Sequence, residues 1–246
     1  MLHNLIIVFM PKVKIAAIGD IHIGRVGISH KENFKRLSDE AEILLLCGDL
    51  TERGTEEQTT MLIEELASCT VPVVAVLGNH DYDKGNEKII ETMLTQAHVK
   101  VLDGDYTIIK DIGFAGIKGC GGGFDKYMLT PFGEPMVKEF VRQSVEDSLR
   151  LENALAQLST DKKVVLMHYS PILQTVSGEP KEIFPFLGCS RFVSPIHRFQ
   201  ATIVFHGHAH HGTYEGKTEQ GIPVYNVAYP ILKKQFPDKP YAIFEV

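Results

Sequence analysis

The fold class is decided by the stretch Val13-Lys14-Ile15-Ala16-Ala17-Ile18-Gly19-Asp20-Ile21-His22. Its apolar run predicts a short buried β-strand that ends at a glycine and an aspartate. Two further runs repeat the pattern, since 42–47 leads into Gly48-Asp49 and 71–77 leads into Gly78-Asn79-His80-Asp81. Helical patterns separate the three runs. Apolar strands that alternate with helices predict βαβ units and a largely parallel sheet.

The rest of the chain continues this alternation and then changes character. Helices are predicted over 29–39, 55–68, 86–97, 136–158 and, as a short element, 190–199. Further strands are predicted over 99–101, 107–110, 112–117, 164–167 and 201–205. The tail, 212–246, predicts antiparallel strands with turns at Glu215-Gly216 and Pro237-Asp238. We expect one domain over 1–246, with a possible N-terminal extension over 1–10 and a loop at the rim of the site over 118–135.

Composition narrows the function classes. The chain has 246 residues, a formal charge of −6 and 11 histidines, and its apolar fraction of 44% is that of a globular protein. The acidic balance argues against long nucleic acid and against a polybasic membrane anchor. The apolar run at 5–10 is too short to span a membrane, and the four cysteines form no CxxC pair. We expect a cytoplasmic protein, with both Met1 and Met10 open as its start and its oligomeric state open.

Polar clusters at the predicted strand ends carry the chemistry. Parallel strands bring their carboxyl ends to one edge of a sheet, which is where ligands bind in such folds. Alternating side chains of an extended segment place Asp20 and His22 on one side, and likewise His208 and His210. Carboxylate, imidazole and amide donors suit divalent Mn, Fe or Zn ions. The candidate ligands, too many for one ion, are Asp20, His22, Asp49, Asn79, His168, His208 and His210.

Two simpler interpretations stand beside this one. The aspartates at strand ends could cap helices or turns, and His80 could be an ordinary loop histidine. His206 shares a strand face with His208 and His210, and we expect it to support the site or to pack rather than to bind metal.

The ordered set of motifs DxH, GD, GNHD, H and GHxH resembles the calcineurin-like metallophosphoesterase family from Ile15 to about Gly212. The resemblance implies an α/β fold, a four-layer αββα sandwich of two mixed β-sheets flanked by helices. It implies that Asp20, His22 and His210 hold one metal ion, and that Asn79, His168 and His208 hold another. Asp49 would bridge the two divalent ions.

The resemblance also implies a reaction. A hydroxide bridging the metals would attack phosphorus in line, and His80 would protonate the leaving group as a general acid. We expect Asp81 or a nearby carboxylate to orient His80. The stretch from Gly48 to Gly54 and the GNHD motif are more similar to the phosphodiesterase branch than to protein phosphatases. A small phosphodiester is the predicted substrate, with a phosphomonoesterase or a non-catalytic scaffold of the same fold as alternatives.

Overall fold

Two mixed β-sheets form the centre of the protein, in a computed structural model that describes residues 12–246. The extension predicted over 1–10 lies outside the described residues. The first sheet has the strand order β11-β1-β2-β3-β4 and the second has the order β5-β6-β7-β8-β10-β9. The strands are β1 (Lys14–Ile18), β2 (Ile43–Cys47), β3 (Val73–Val76), β4 (Val99–Val101), β5 (Asp105–Ile109), β6 (Ile112–Ile117), β7 (Lys162–Met167), β8 (Ile203–His206), β9 (Glu215–Lys217), β10 (Pro223–Asn226) and β11 (Ala242–Glu245).

Helices cover the outer faces of both sheets, so the αββα sandwich is confirmed. Within residues 12–246 there are seven α-helices: α1 (Lys31–Glu40), α2 (Glu56–Leu66), α3 (Glu87–Gln96), α4 (Pro135–Ala156), α5 (Phe184–Leu187), α6 (Val193–Arg198) and α7 (Tyr229–Gln235). The helix predicted from Thr55 begins one residue later, because the Thr55 side chain accepts a hydrogen bond from the Gln58 N–H and caps α2. In this part of the chain no helix is both long and apolar enough to cross a membrane.

The alternation of side chains along β7 shows how the layers are built. Val164 and Leu166 belong to the core between the sheets, whereas Val165 and Met167 pack in the core beneath α4. Both faces of β7 are therefore apolar and buried, as expected for a strand covered on both sides. This explains why the predicted strands read as continuous apolar runs. Strands β1, β2, β3 and β4 pair in parallel, and so do β6, β7 and β8, so each group ends at a common edge.

The predicted all-strand tail is wrong in two places. The helix α7 replaces a predicted strand, because Pro230 favours a helix start and Ile231 and Leu232 are buried against the core. The turn predicted at Glu215-Gly216 lies inside β9, which pairs with β10, and β10 in turn pairs in parallel with β8. The turn at Pro237-Asp238 is confirmed. The predicted rim loop contains one 3-10 turn at Asp125–Tyr127.

Close contact between the sheets generates a stability prediction at Gly116 on β6. A Cβ atom there would lie 2.6 Å from Leu102 Cβ and 2.9 Å from Val76 Cγ1, closer than such atoms approach. Gly116→Ala should therefore overpack the interface and lower the free energy of unfolding by about 1–3 kcal/mol. Urea denaturation monitored by circular dichroism measures this change. An unfolding free energy within about 0.5 kcal/mol of that of the unchanged protein would contradict the tight contact.

Candidate metal centre

The seven predicted ligands meet where the carboxyl ends of the two sheets come together. The first sheet supplies three oxygen donors and one imidazole: Asp20 and His22 follow β1, Asp49 follows β2, and Asn79 follows β3. The second sheet supplies imidazoles, with His168 directly after β7 and two more after β8. The loops after β1 and β8 meet because Asp20 accepts hydrogen bonds from the His208 backbone N–H at 2.9 and 3.1 Å.

These side chains form three overlapping clusters, in each of which the candidate ligand atoms lie within 4.8 Å of one another. The clusters are Asp20 with His22 and His210, Asp49 with His168 and His208, and His22 with Asp49 and His80. Asn79 joins the second cluster, since its Oδ1 lies 2.9 Å from His168 Nε2. The structure thus brings every predicted ligand into one continuous group, with Asp49 common to two clusters.

His22 provides an observation that fits a bound metal ion. Both of its ring nitrogens are buried and have no hydrogen-bond partner within residues 12–246. Nδ1 lies 2.9 Å from Glu52 Oε2, outside hydrogen-bonding geometry, and Nε2 lies 3.9 Å from Asp49 Oδ2. Because buried polar atoms are normally paired, an unpaired imidazole lone pair beside carboxylates is what a divalent cation would satisfy.

Buried charge dominates the electrostatics of the centre. Burial favours the neutral form of Asp49, but the charge on His168 and the hydrogen bond from the His80 N–H hold the pKa of Asp49 below its usual value. Burial likewise opposes protonation of His168, yet Asp49 and Asp20 raise its pKa to about 9. Without metal, therefore, a proton on His168 compensates the two buried carboxylates.

The orientation of His168 is set by a backbone carbonyl of the first sheet. His168 Nδ1 lies 3.0 Å from the Cys47 carbonyl oxygen and donates to it, which turns Nε2 towards Asn79 and Asp49. A carbonyl accepts only, so this contact places a hydrogen on Nδ1. Nε2 is then the nitrogen that could hold a metal ion, an arrangement common for metal-binding histidines.

His80 lies at the mouth of the centre, with its ring against that of His22 at a centroid distance of 4.6 Å. Its Nδ1 donates to the Glu52 carbonyl oxygen at 2.8 Å, and its Nε2 lies 3.9 Å from Asp49 Oδ2. A cavity of about 290 Å³ borders His80, Asn79 and Glu52. The nitrogen that faces the open side of the centre is therefore Nε2.

Of the two expectations for the orientation of His80, the one that names Asp81 is wrong, whereas a nearby carboxylate is present, since Asp49 Oδ2 lies 3.9 Å from His80 Nε2. Asp81 is buried and turns away from the His80 ring, towards the loop after β2. Its carboxylate accepts hydrogen bonds from the backbone N–H groups of Leu50, Thr51 and Gly78 and from the Thr51 hydroxyl. Burial and the Asp49 charge raise the pKa of Asp81 to about 6. Asp81 thus holds the loops after β2 and β3 together.

Two residues complete this description. His206 is buried, and its Nε2 lies 2.8 Å from Thr175 Oγ1. Burial lowers the pKa of His206 to about 4. His206 belongs to none of the three clusters and supports the loop after β8 from outside them.

Sequence reasoning missed Glu52. Its carboxylate lies beside His22 and pairs with Arg25 at 2.8 Å, while its backbone carbonyl orients His80. The position of Glu52, three residues after the candidate ligand Asp49, was the one feature of the sequence that could have indicated its place beside the site.

Sharp backbone turns present the ligands. Asp20, His22, Asp49 and His208 all have positive φ, between 45° and 69°, which is uncommon for residues other than glycine. A glycine is required at position 207, directly before the candidate ligand His208, because a Cβ at this position would lie 2.2 Å from Asp20 Oδ2. In these turns the backbone passes close to the ligating side chains, so residues directly after the strand ends reach the site.

Comparisons with known proteins concern the fold and the family. No curated protein matches the sequence. In fold, the chain is similar to a phosphopantetheinyl hydrolase from Mycobacterium tuberculosis, with a TM-score of 0.71, 16% identity and 96% of each chain covered. It is also similar to a putative 5′-nucleotidase from Staphylococcus aureus, with a TM-score of 0.55, 14% identity, and 87% of this chain and 48% of that chain covered.

The family comparison decides the assignment. The model of the calcineurin-like phosphoesterases matches residues 13–212, which include every motif described above. Membership supports a metal-dependent phosphoester hydrolase, and the His and Asp clusters supply side chains that could bind its metal ions. This chain belongs to the calcineurin-like phosphoesterase family.

Proposed function

We propose that the protein hydrolyses a small phosphodiester at the edge where its two sheets meet. The observation that carries the proposal is the convergence of seven oxygen and imidazole donors with His80 beside a cavity of about 290 Å³. Long nucleic acid is not the proposed substrate, because the chain carries a net charge of −6. We assign the activity to the cytoplasm.

In this proposal the ligands divide into two sets that share Asp49. Asp20, His22 and His210 would hold one divalent ion, and the set Asn79, His168 and His208 would hold the other. The carboxylate, amide and imidazole donors suit Mn, Fe or Zn. When bound, the two ions supply Lewis acids that activate water and neutralise charge on the phosphoryl oxygens.

His80 acts as the general acid in the proposed reaction. The Glu52 carbonyl fixes its Nδ1, so Nε2 is the nitrogen that delivers a proton to the leaving oxygen. Nε2 itself lies 3.9 Å from Asp49 Oδ2, at the edge of the proposed ligand set. A phosphodiester needs this help because its leaving group is an alkoxide or aryloxide.

The preference for a diester over a monoester rests on the sequence of two loops. Residues 48–54 read GDLTERG and residues 78–81 read GNHD. Both stretches are more similar to the motifs of the phosphodiesterase branch than to those of protein phosphatases. The alternative of a non-catalytic scaffold is disfavoured, because such proteins lose ligands or the GNHD histidine. All of those residues are present in this chain.

The first experiment compares bis-p-nitrophenyl phosphate with p-nitrophenyl phosphate as substrates for the Mn²⁺-loaded protein. We expect turnover of both to require metal and the diester to be preferred. His80→Gln should lower kcat about 100-fold or more for diphenyl phosphate, whose basic phenoxide leaving group needs a proton, and much less for bis-p-nitrophenyl phosphate, whose leaving group is stable as an anion; every proposed ligand is kept. Adding a phosphopantetheinyl ester and a nucleoside monophosphate tests the substrates named for the two fold relatives.

The matched control is His211→Gln, because His211 is exposed, is next to the ligand His210 and belongs to none of the clusters. Its kcat should stay within about twofold of that of the unchanged protein. Turnover of neither substrate by protein shown to hold metal would refute the proposed enzyme. Full activity of His80→Gln on diphenyl phosphate would refute the general-acid role alone.

Metal affinity should depend on pH. Protons held by His168, whose pKa is raised to about 9, compete with metal, because the ion needs an unprotonated nitrogen. Affinity for Mn²⁺ should therefore rise with pH, by up to about tenfold per unit between about pH 6 and pH 8. Isothermal titration calorimetry measures it, with His168→Asn expected to show a shallower dependence and His211→Gln an unchanged one. An affinity that is constant over this range would contradict the prediction.

A further inference from the structure

Lys118 lies at the same sheet edge as the candidate metal centre, and the proposed function gives it no role. The parallel strands β6, β7 and β8 end together, and the chain continues into Lys118, His168 and Gly207. The Lys118 carbonyl oxygen accepts hydrogen bonds from the N–H groups of His168 at 3.1 Å and Tyr169 at 3.2 Å. Lys118 is thus fastened by its backbone to the segment that supplies a candidate ligand.

Two tyrosine rings hold the ammonium group of Lys118 in place. Its Nζ lies 5.0 Å from the centroid of the Tyr82 ring and 5.2 Å from that of Tyr169, within the range of cation–π contacts. Nζ also donates to the Gly119 carbonyl oxygen at 2.9 Å. The Tyr169 ring in turn contacts the His208 ring, at a centroid distance of 4.3 Å. Lys118 therefore lies one aromatic side chain away from the metal centre.

The charge of Lys118 is not neutralised by a direct ion pair. Within residues 12–246, no carboxylate oxygen lies within 4.0 Å of its Nζ. The buried carboxylate in this region, Asp147, interacts with the Lys118 charge at longer range, since burial raises the pKa of Asp147 and the Lys118 charge opposes that rise. Asp147 also accepts a hydrogen bond from Gln143 at 2.8 Å and lies 3.7 Å from Arg150. A half-buried cation that keeps donor capacity beside a phosphate-ester site is suited to an anion.

We propose that Lys118 is a specificity-determining residue that binds a second anionic group of the substrate, a carboxylate or phosphate on the arm attached to the scissile phosphate. The inference rests on the proposed phosphodiesterase function and deepens it. The intervening Tyr169 ring separates Lys118 from His208, so its partner is a group carried on a spacer rather than the phosphoryl group itself. Tyr82 and Tyr169 keep the ammonium positioned for this partner.

The test uses aryl diesters with one common leaving group. Phenyl p-nitrophenyl phosphate is compared with its p-carboxyphenyl and p-phosphonophenyl counterparts on the Mn²⁺-loaded full chain. The unchanged protein should prefer at least one anionic arm in kcat/KM by about tenfold. Lys118→Met should abolish that preference through KM with little change in kcat, and Lys118→Arg should retain it. Which arm is preferred distinguishes a carboxylate from a phosphate partner.

Lys126→Met is the matched control, because Lys126 also lies over a tyrosine ring, 5.1 Å from the Tyr127 centroid, but is exposed in the 3-10 turn Asp125–Tyr127. It should leave the preference unchanged. Equal kcat/KM for neutral and anionic arms in the unchanged protein, or a preference that survives in Lys118→Met, would overturn the inference.

A binding measurement separates failure of this inference from failure of the proposed function. Calorimetry with phenylphosphonate, p-carboxyphenylphosphonate and 1,4-phenylenediphosphonate, none of which is hydrolysed, needs no turnover. At least one of the two added anionic groups should tighten binding about tenfold in the unchanged protein and in Lys118→Arg, but not in Lys118→Met. If no diester is turned over yet this pattern holds, the anion site stands and the reaction assignment fails. If diesters are turned over and neither anionic group tightens binding, the anion site fails alone.

Discussion

Two buried carboxylates, Asp20 and Asp49, lie where the carboxyl ends of both sheets meet, and most of the neighbouring structure compensates their charge. An isolated buried carboxylate is costly unless hydrogen bonds or opposite charge accompany it. Asp20 accepts from the His208 N–H and contacts His210 Nε2 at 2.8 Å. Asp49 accepts from the His80 N–H and lies 3.3 Å from His168 Nε2. The imidazoles are held near these two oxygen donors by the same contacts that make burial tolerable.

The cost of this arrangement also appears in the backbone. Left-handed conformations at Asp20, His22, Asp49 and His208 are each less stable than ordinary ones, by about 1–3 kcal/mol where strain is fully expressed. They persist because the flanking strands are buried and fix the chain on either side. The rigid sheets thus maintain the turns, and the turns direct side chains into a small volume. A site on a free loop would relax out of these conformations.

Much of the fold and site could be predicted because two signals coincide in the sequence. Apolar runs identify β1, β2 and β3, and the polar residues directly after them define the edge. The helix α7 escaped prediction because a seven-residue helix with two buried side chains has too little periodicity to stand out. The contacts of Glu52 and Asp81 could not be predicted, because their partners come from other loops. The spacing of apolar residues identifies strands and helices, but it does not determine the path of the loops between them. The role proposed for Lys118 could not be predicted either, because Tyr82 and Tyr169, whose rings flank its ammonium group, are distant in sequence.

The division of donors between the sheets links site geometry to core packing. Asp20, Asp49 and Asn79 come from the first sheet, and the imidazoles of the second sheet approach them only as closely as the core between the sheets allows. Large side chains such as Phe114 and Phe205 fill that core, and Gly116 lies at a close contact between the sheets. Close-packed interiors transmit changes in volume rather than absorbing them. A substitution between the sheets should consequently alter metal affinity as well as stability, because it changes the separation of the two donor sets.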